Sequence, residues 1–250
     1  MRRQWRLYSG VQGRPFSLLA EVYDAIMSDV EYGAWAEFIL DLALEAGTEV
    51  RRVLDLGCGT GNSSEPFVSR GLSVTGLDLS AEMLAVARRK LPEATFLQGN
   101  FTTFALEGRF DLVVSVFDSL NNLLDPEDFR RTAERARQHL EPGGVFVFDV
   151  NTTVGLRNLW EDDRAEGWVD DVYYLWRHSF DEKTGLAQVV AYCEKGARSF
   201  TEVHLERPYD PPEVSELLGA AGFGDVQILT YPHGDPATEE SERIWVVARR

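Results

Sequence analysis

Three glycines alternate with Cys58 and Thr60 in the stretch Val53-Leu-Asp-Leu-Gly-Cys-Gly-Thr-Gly61, directly after a short apolar run. Gly57, Gly59 and Gly61 permit a tight turn and remove side chains from it, so main-chain atoms can approach a ligand closely. Cys58 offers its backbone to this turn, and nothing marks it as a nucleophilic thiol. The second chemical group is Asp78, at the end of the next apolar run in Gly76-Leu-Asp-Leu-Ser80. A carboxylate there can accept both hydroxyls of an adenosine ribose, and such charge-assisted hydrogen bonds are worth roughly 1.5–3 kcal/mol each. The alternative for Asp78 is an acid at a helix N-terminus beside Ser80. Dinucleotide sites use G-x-G-x-x-G to bring a helix N-terminus to a pyrophosphate. Here the glycines fall two apart, which better suits a nucleoside without phosphates that carries a sulfonium and an amino-acid tail.

These groups need strands and helices to present them. Nearly continuous apolar runs at 53–56, 73–77, 95–97, 110–116 and 144–150 have the pattern of strands covered on both faces, as in a parallel sheet. Helical patterns lie between them, one N-capped by Ser80 and another starting at Asp125-Pro126, with proline in the first helical position. The spacing also predicts helices over 17–27 and 32–46, the latter stopped by Gly47. The order is that of an α/β, doubly wound, mostly parallel, seven-stranded Rossmann-like sheet. From 151 to 207 the rhythm becomes alternating, with Val172, Tyr174, Trp176, His178 and Phe180 on one strand face. That segment reads as an antiparallel β insertion after the fifth strand. A helix over 211–221 and a hairpin complete the sheet. The expected organisation is one domain over 1–250: lid helices 17–46, cofactor core 51–150, insertion 151–207, and C-terminal helix and hairpin 208–250.

Composition limits the partners. The chain has 250 residues and a formal net charge of −16, a poor match to a polyanion. Arg130, Arg131, Arg135 and Arg137 are interleaved with acids at helical spacing and read as a solvated helix face. Arg2, Arg3, Arg6 and Arg14 form either a basic arm or a disordered terminus. Nucleic acid is therefore an unlikely partner. No apolar run approaches the roughly 20 residues needed to span a bilayer, and no signal-peptide pattern is present, so a cytoplasmic protein is expected. The two cysteines are far apart, which argues against a disulfide framework, and no Cys/His spacing suggests a metal. The oligomeric state is not legible.

The ordered segments Asp55–Gly61, Gly76–Leu84, Gln98–Phe101, Phe110–Val114 and Leu140–Gly144 resemble the successive motifs of class I S-adenosylmethionine-dependent methyltransferases, over about residue 20 to the C-terminus. The resemblance implies that Gly57, Cys58, Gly59 and Gly61 border the methionine part of S-adenosyl-L-methionine. Asp78 would hold the ribose, with Leu79 and Met83 beside the adenine. Asn100 and Phe101 would meet the adenine ring, and Val116, Phe117 and Asp118 would lie under the sulfonium end. Asn100 departs from the family, which usually has Asp there. Val22-Tyr-Asp24 followed by Tyr32 resembles the amino-terminal lid of small-molecule N-methyltransferases, with amino-sugar dimethyltransferases among the nearest likenesses. Tyr23 and Tyr32 would then close over the cofactor; packing between helices is the other reading.

Methyl transfer is a displacement at carbon in which the protein supplies alignment and dehydration. An amine must arrive neutral, and a hydroxyl needs a base. No catalytic residue stands out. Asp118, Ser119 and Asn121 either orient substrate or form a capped turn. His178 and His204 fall on the inserted strands and face either the substrate or the core. His139 ends a helix, where it would oppose the dipole, and His233 sits in an exposed turn. The acidic run 161–166 with Asp170 and Asp171 is either a solvated loop or an entrance that favours cations. A small-molecule acceptor methylated on N or O is expected. The alternatives are an RNA-base methyltransferase and a non-catalytic binder of the cofactor.

Overall fold

The computed structural model describes residues 14–160 and 164–250. A 3-10 turn at Leu19–Glu21 leads into α1 (Tyr23–Ile26) and α2 (Tyr32–Glu45). The alternating core follows as β1 (Arg52–Leu56), α3 (Glu65–Ser69), β2 (Ser73–Asp78), α4 (Ala81–Lys90), β3 (Thr95–Gln98) and β4 (Phe110–Ser115). After a second 3-10 turn at Ser119–Asn122 come α5 (Pro126–His139) and β5 (Leu140–Asn151). Next are α6 (Thr153–Trp160), β6 (Arg164–Val169), β7 (Val172–Asp181), β8 (Leu186–Lys195) and β9 (Arg198–Glu206). The chain then forms α7 (Pro211–Ala220), β10 (Asp225–Leu229) and β11 (Arg243–Arg249).

The large sheet has seven strands in the order β3-β2-β1-β4-β5-β11-β10. The first five run parallel, and β11 is antiparallel to both β5 and β10. Leu54, Leu56, Phe146 and Phe148 face α5 and α7 through Phe129, Ala133, Val214 and Leu218. Val53, Val114 and Val147 face α2 and α3 through Ala36, Ile39, Ala43 and Phe67. With both faces covered, burial contributes about 1.5–3 kcal/mol per large apolar side chain. The caps are as expected: Ser80 accepts from the Met83 N–H at 3.1 Å, and Asp125 accepts from the Glu127 N–H at 2.9 Å.

The insertion forms a second sheet, ordered β6-β7-β8-β9 and antiparallel throughout. Three sequence expectations change here. Residues 153–160, placed in the alternating segment, form the helix α6 instead, its start capped by Thr152, which accepts from the Gly155 N–H at 3.0 Å. Arg164 to Glu166, read as loop, are the start of β6, an edge strand paired only to β7, so its apolar signal is weak. Residues 161–163 of that acidic run lie outside the described residues, as do Arg2, Arg3 and Arg6 of the basic arm. The helix expected over 17–27 is broken into the 3-10 turn and α1. Its first peptide N–H groups, at Phe16 to Leu19, donate to the Glu202 carboxylate on β9 instead of starting a regular helix.

The arginines of α5 are a solvated face: Arg130 pairs with Glu127 and Glu134, and Arg131 with Glu127 and Asp128, all on the same helix. His139 differs from expectation. It is buried, accepts from the Leu106 N–H at Nε2 (3.0 Å) and contacts the Arg135 carbonyl through Nδ1 (2.7 Å). That pattern holds the loop before β4 with a ring that donates at one nitrogen and accepts at the other.

Helix α6 joins the two sheets. Thr152 donates to the Ser241 carbonyl at 2.7 Å, and Gly155 lies directly against the chain ahead of β11, so that a methyl group there would overlap the Glu242 carbonyl oxygen. Backbone meets backbone at this point, and no side chain can move aside. Gly155→Ala is therefore expected to destabilise the fold by about 1–3 kcal/mol or more, read as a lowered urea midpoint with an unchanged slope.

Candidate functional site

The carboxyl ends of β1 to β4 open into a cavity of about 670 Å³, roofed by the inner face of the small sheet and by the segment from Arg14 to Tyr32. The strand order reverses between β1 and β4, the position at which an open α/β sheet forms its ligand crevice. The volume is within the roughly 300–1,000 Å³ range of small-molecule sites.

The cofactor end is built on the turn after β1. Gly57 has φ +80°, and a Cβ there would stand 2.7 Å from Ser119 Oγ. Asp78, at the tip of β2, accepts from the Gly59 N–H at 2.9 Å through Oδ2 and from the Ser80 N–H at 2.8 Å through Oδ1. Each oxygen keeps lone-pair capacity toward the cavity that the residue lines. Asp78 is thus a helix-start acid, as one sequence reading has it, and it also lines the cavity. Burial raises its pKa, opposed by the hydrogen bonds from Ser80, Gly59 and Leu79. Behind it Asp55 is fully buried, its pKa raised to about 6 by that burial while Ser64 and Ser63 hydrogen-bond to it.

Most of the residues expected from sequence line this one cavity: Tyr23, Tyr32, Gly57, Cys58, Gly59, Asp78, Leu79, Met83, Asn100, Phe101, Val116, Phe117, Asp118, His178 and His204. Leu79 is exposed at the rim, whereas Met83 and Cys58 are buried. Gly61 shapes the turn from just outside the lining, with φ +88°. The Asn100 Oδ1 already accepts from the Thr102 N–H and hydroxyl, both at 2.8 Å. Its amide nitrogen, not the oxygen expected from sequence, is the end left for a ligand. Asn121 is not a substrate contact. It is fully buried, donates to the Asn151 and Arg207 carbonyls and accepts from the Asn151 N–H, fixing the turn after β4 to β5. His233 is exposed, as expected.

Tyr23 and Tyr32, the residues expected to form a lid, line the cavity beside the turn after β1. The hydroxyls of Tyr23 and Tyr32 interact, and Tyr32 also meets Asn62. Burial raises Tyr32 to about 12 and Tyr23 well above its usual value, so both stay neutral phenols. The Tyr32 ring lies 6.0 Å from Phe117, itself at φ +59°.

Sequence reasoning missed the latches of this lid. Asp24 accepts from Thr60 at 2.5 Å and pairs with Lys90 at 2.6 Å, joining α1 to the glycine turn and to α4. Glu202, fully buried, accepts from the peptide N–H groups of Phe16, Ser17, Leu18 and Leu19 at 2.6–3.2 Å, while Ser80 donates to the Phe16 carbonyl at 2.7 Å. Burial opposes ionisation of Glu202, but the nearby His204 ring and the hydrogen bonds from these peptides win and lower its pKa. One signal was available: Glu202, His204 and Glu206 alternate along one strand face.

A family model described as a methyltransferase domain matches residues 53–144. A putative methyltransferase of Bacillus subtilis, YqeM, is 31% identical over 92% of this chain and 95% of its own length. The chain belongs to the class I S-adenosylmethionine-dependent methyltransferases. The dTDP-3-amino-3,4,6-trideoxy-alpha-D-glucopyranose N,N-dimethyltransferase of Streptomyces venezuelae is 34% identical over 87% of this methyltransferase and 93% of that protein. A crystal structure of an S-adenosylmethionine-dependent methyltransferase from Clostridium acetobutylicum superposes with a TM-score of 0.79 at 27% identity, covering 93% and 97% of the two chains.

S-adenosylmethionine supplies, when bound, a methyl group on a positively charged sulfur. The residues present fit it: Asp78 has acceptors for ribose hydroxyls, the Gly57–Gly61 turn bares its backbone, and Met83 and Phe101 give apolar walls. Asp78→Asn is expected to weaken S-adenosylmethionine binding roughly 10- to 150-fold in calorimetry, the loss of one charge-assisted hydrogen bond of about 1.5–3 kcal/mol. Since the carboxylate is the accepting form and its pKa is raised, wild-type affinity is expected to fall on acidification at a higher pH than an ordinary aspartate would give. Glu202→Gln replaces an accepting oxygen by a donor facing peptide N–H groups, at roughly 1–3 kcal/mol for each donor left unpaired. Faster hydrogen exchange at Phe16 to Leu19, with faster cofactor release in stopped flow, is the expected outcome.

Proposed function

We propose that the chain methylates the nitrogen of a small-molecule amine, holding S-adenosylmethionine with Asp78, the glycine turn and the Tyr23–Tyr32 lid. The observation that carries this reading is the chemistry of the cavity beyond the cofactor end. That wall presents two carboxylates, Asp118 and Glu206, and two imidazoles, His178 and His204, with Trp176 between the lid and His178. Carboxylates attract a cationic amine, and a ring face adds about 0.5–2 kcal/mol for a cation held over it. The proteins it resembles include N,N-dimethyltransferases of dTDP-linked amino sugars, from Streptomyces venezuelae and Streptomyces fradiae among others. The acidity of the chain speaks against RNA as the acceptor. No helix among the described residues is long and apolar enough to cross a membrane.

The chain's own residues then divide the work. The turn after β1 and the Asp78 carboxylate orient, the aromatic lid excludes water, and the roof of the small sheet shapes the acceptor space. Placement of this kind is worth effective molarities of about 10⁵–10⁸ M. The test is transfer of radiolabelled methyl from S-adenosylmethionine to dTDP-amino sugars and simple cyclic amines, alongside the matched alcohols and bulk transfer RNA. Amines are expected to be labelled at least about tenfold faster than alcohols, a difference of roughly 1.4 kcal/mol in barrier. Label in alcohols or transfer RNA alone would overturn the reading.

A further inference from the structure

We propose that Glu206 is the proton acceptor of the reaction, taking the N–H proton that the acceptor amine gives up as it is methylated, with Asp118 beside it to hold the amine. The proposal rests on the amine reading above and assigns its chemistry to a residue. Strand order sets the positions along the cavity. Asn100 and Phe101 follow β3, Asp78 ends β2, and the glycine turn follows β1, so adenine, ribose and amino-acid tail occupy these three tips. The tips of β4 and β5 remain for the acceptor, and Asp118 lies at the first of them. Glu206, the last residue of β9, lines the cavity at this end, where β9 packs on the 3-10 turn after Asp118.

Glu206 is only 8% exposed, and its Oε2 is buried with no hydrogen-bond partner. The nearest cation is already engaged: Arg243 lies with Nε 2.8 Å from Asp149 Oδ2 and Nη2 3.4 Å from Asp118 Oδ2. Three carboxylates, of Asp118, Asp149 and Glu206, thus act on one guanidinium, and among the described residues no second cation joins them on the cavity side, a place an alkylammonium would fill. The groups acting on Glu206 are Asp118 at the 3-10 turn, Asp149 on β5, Arg243 on β11 and the Asn151 side chain, and His178 on β7 and His204 on β9 line the same cavity. His204 is the less suitable base. Its Nε2 stands 3.3 Å from Glu202 and its ring packs 4.5 Å from Phe16, so it belongs to the lid anchor. Burial first, and then the nearby Asp118, push the Glu206 carboxyl well above its ordinary range, which matches it to a nitrogen-bound proton.

The step balances. The bound ammonium first loses a proton to water, and the freed nitrogen lone pair forms the new N–C bond while the C–S pair returns to sulfur. The N–H pair then returns to nitrogen as the proton passes to the cavity-facing oxygen of the Glu206 carboxylate, and loss of that proton to water restores it.

The test uses the full chain saturated with S-adenosylhomocysteine, which carries no methyl to transfer, and takes cyclohexylamine as probe with cyclohexanol as its neutral match. In the wild type, calorimetry is expected to show the amine binding about tenfold or more tightly than the alcohol. Glu206→Gln is expected to lose that preference while keeping S-adenosylhomocysteine affinity within about twofold. Difference infrared spectra are expected to show a carboxylic-acid carbonyl band that responds to cyclohexylamine, is absent from Glu206→Gln and is shifted but present in Glu206→Asp. The assignment is overturned if amine preference survives in Glu206→Gln, if it disappears only in His204→Gln, or if the folded Glu206→Gln protein no longer binds S-adenosylhomocysteine. It is equally overturned if the wild type shows no response to the amine. Failure of the underlying amine reading has a separate signature: labelled methyl found on hydroxyls or RNA.

Discussion

The Asp78 carboxylate bridges the peptide N–H groups of Gly59 and Ser80, and the geometry of the cofactor end depends on that bridge. It joins the turn after β1 to the start of α4, so two loops that would otherwise move independently form one wall. The bridge requires a buried anion, and burial disfavours the anion, as the raised pKa of Asp78 records. Backbone dipoles pointing at it are the compensation. Because they are part of the parallel sheet and its crossover helix, the fold itself supplies the electrostatics of the pocket.

The second sheet has a different role. Its inner face, with Ala187, Val189 and Ala191 on β8, packs against Leu156 of α6, while Val172 and Cys193 pack with Leu19, Ala20 and Val22 of the amino-terminal segment. The lid is therefore wedged between the insertion and α4, and Glu202 and Asp24 hold it from opposite sides. The same contacts hold the amino-terminal segment and the small sheet against one cavity.

Much of this was legible in the residues. The β1 to β5 alternation, the caps at Ser80 and Asp125 and the glycine turn have local signatures, and the structure has them where the patterns fall. The insertion's antiparallel character was legible from its alternation, but β6 was not, because an edge strand needs few apolar residues. Asn121 looked like a polar group at a strand end; its amide is instead consumed by three backbone contacts with partners 30 and 86 residues away. The Asp24 latch and the Glu202 nest likewise join residues remote in sequence, Asp24 through the Thr60 and Lys90 side chains and Glu202 through peptide groups that leave no trace in side-chain composition. His139 was misread for a related reason: its partner, the Leu106 N–H, lies on another element.

Arg243 lies on β11, which follows β10 in the chain yet sits between β5 and β10 in the sheet. During synthesis, β10 therefore has no sheet edge of its own to join until β11 has emerged and paired with β5. Until then the Asp118 and Asp149 carboxylates repel each other without their shared guanidinium, and the β5 edge is open to other strands. Maturation of the chemistry and closure of the sheet are thus one event. A chain ending short of β11 would present an open β5 edge beside an uncompensated acidic pair.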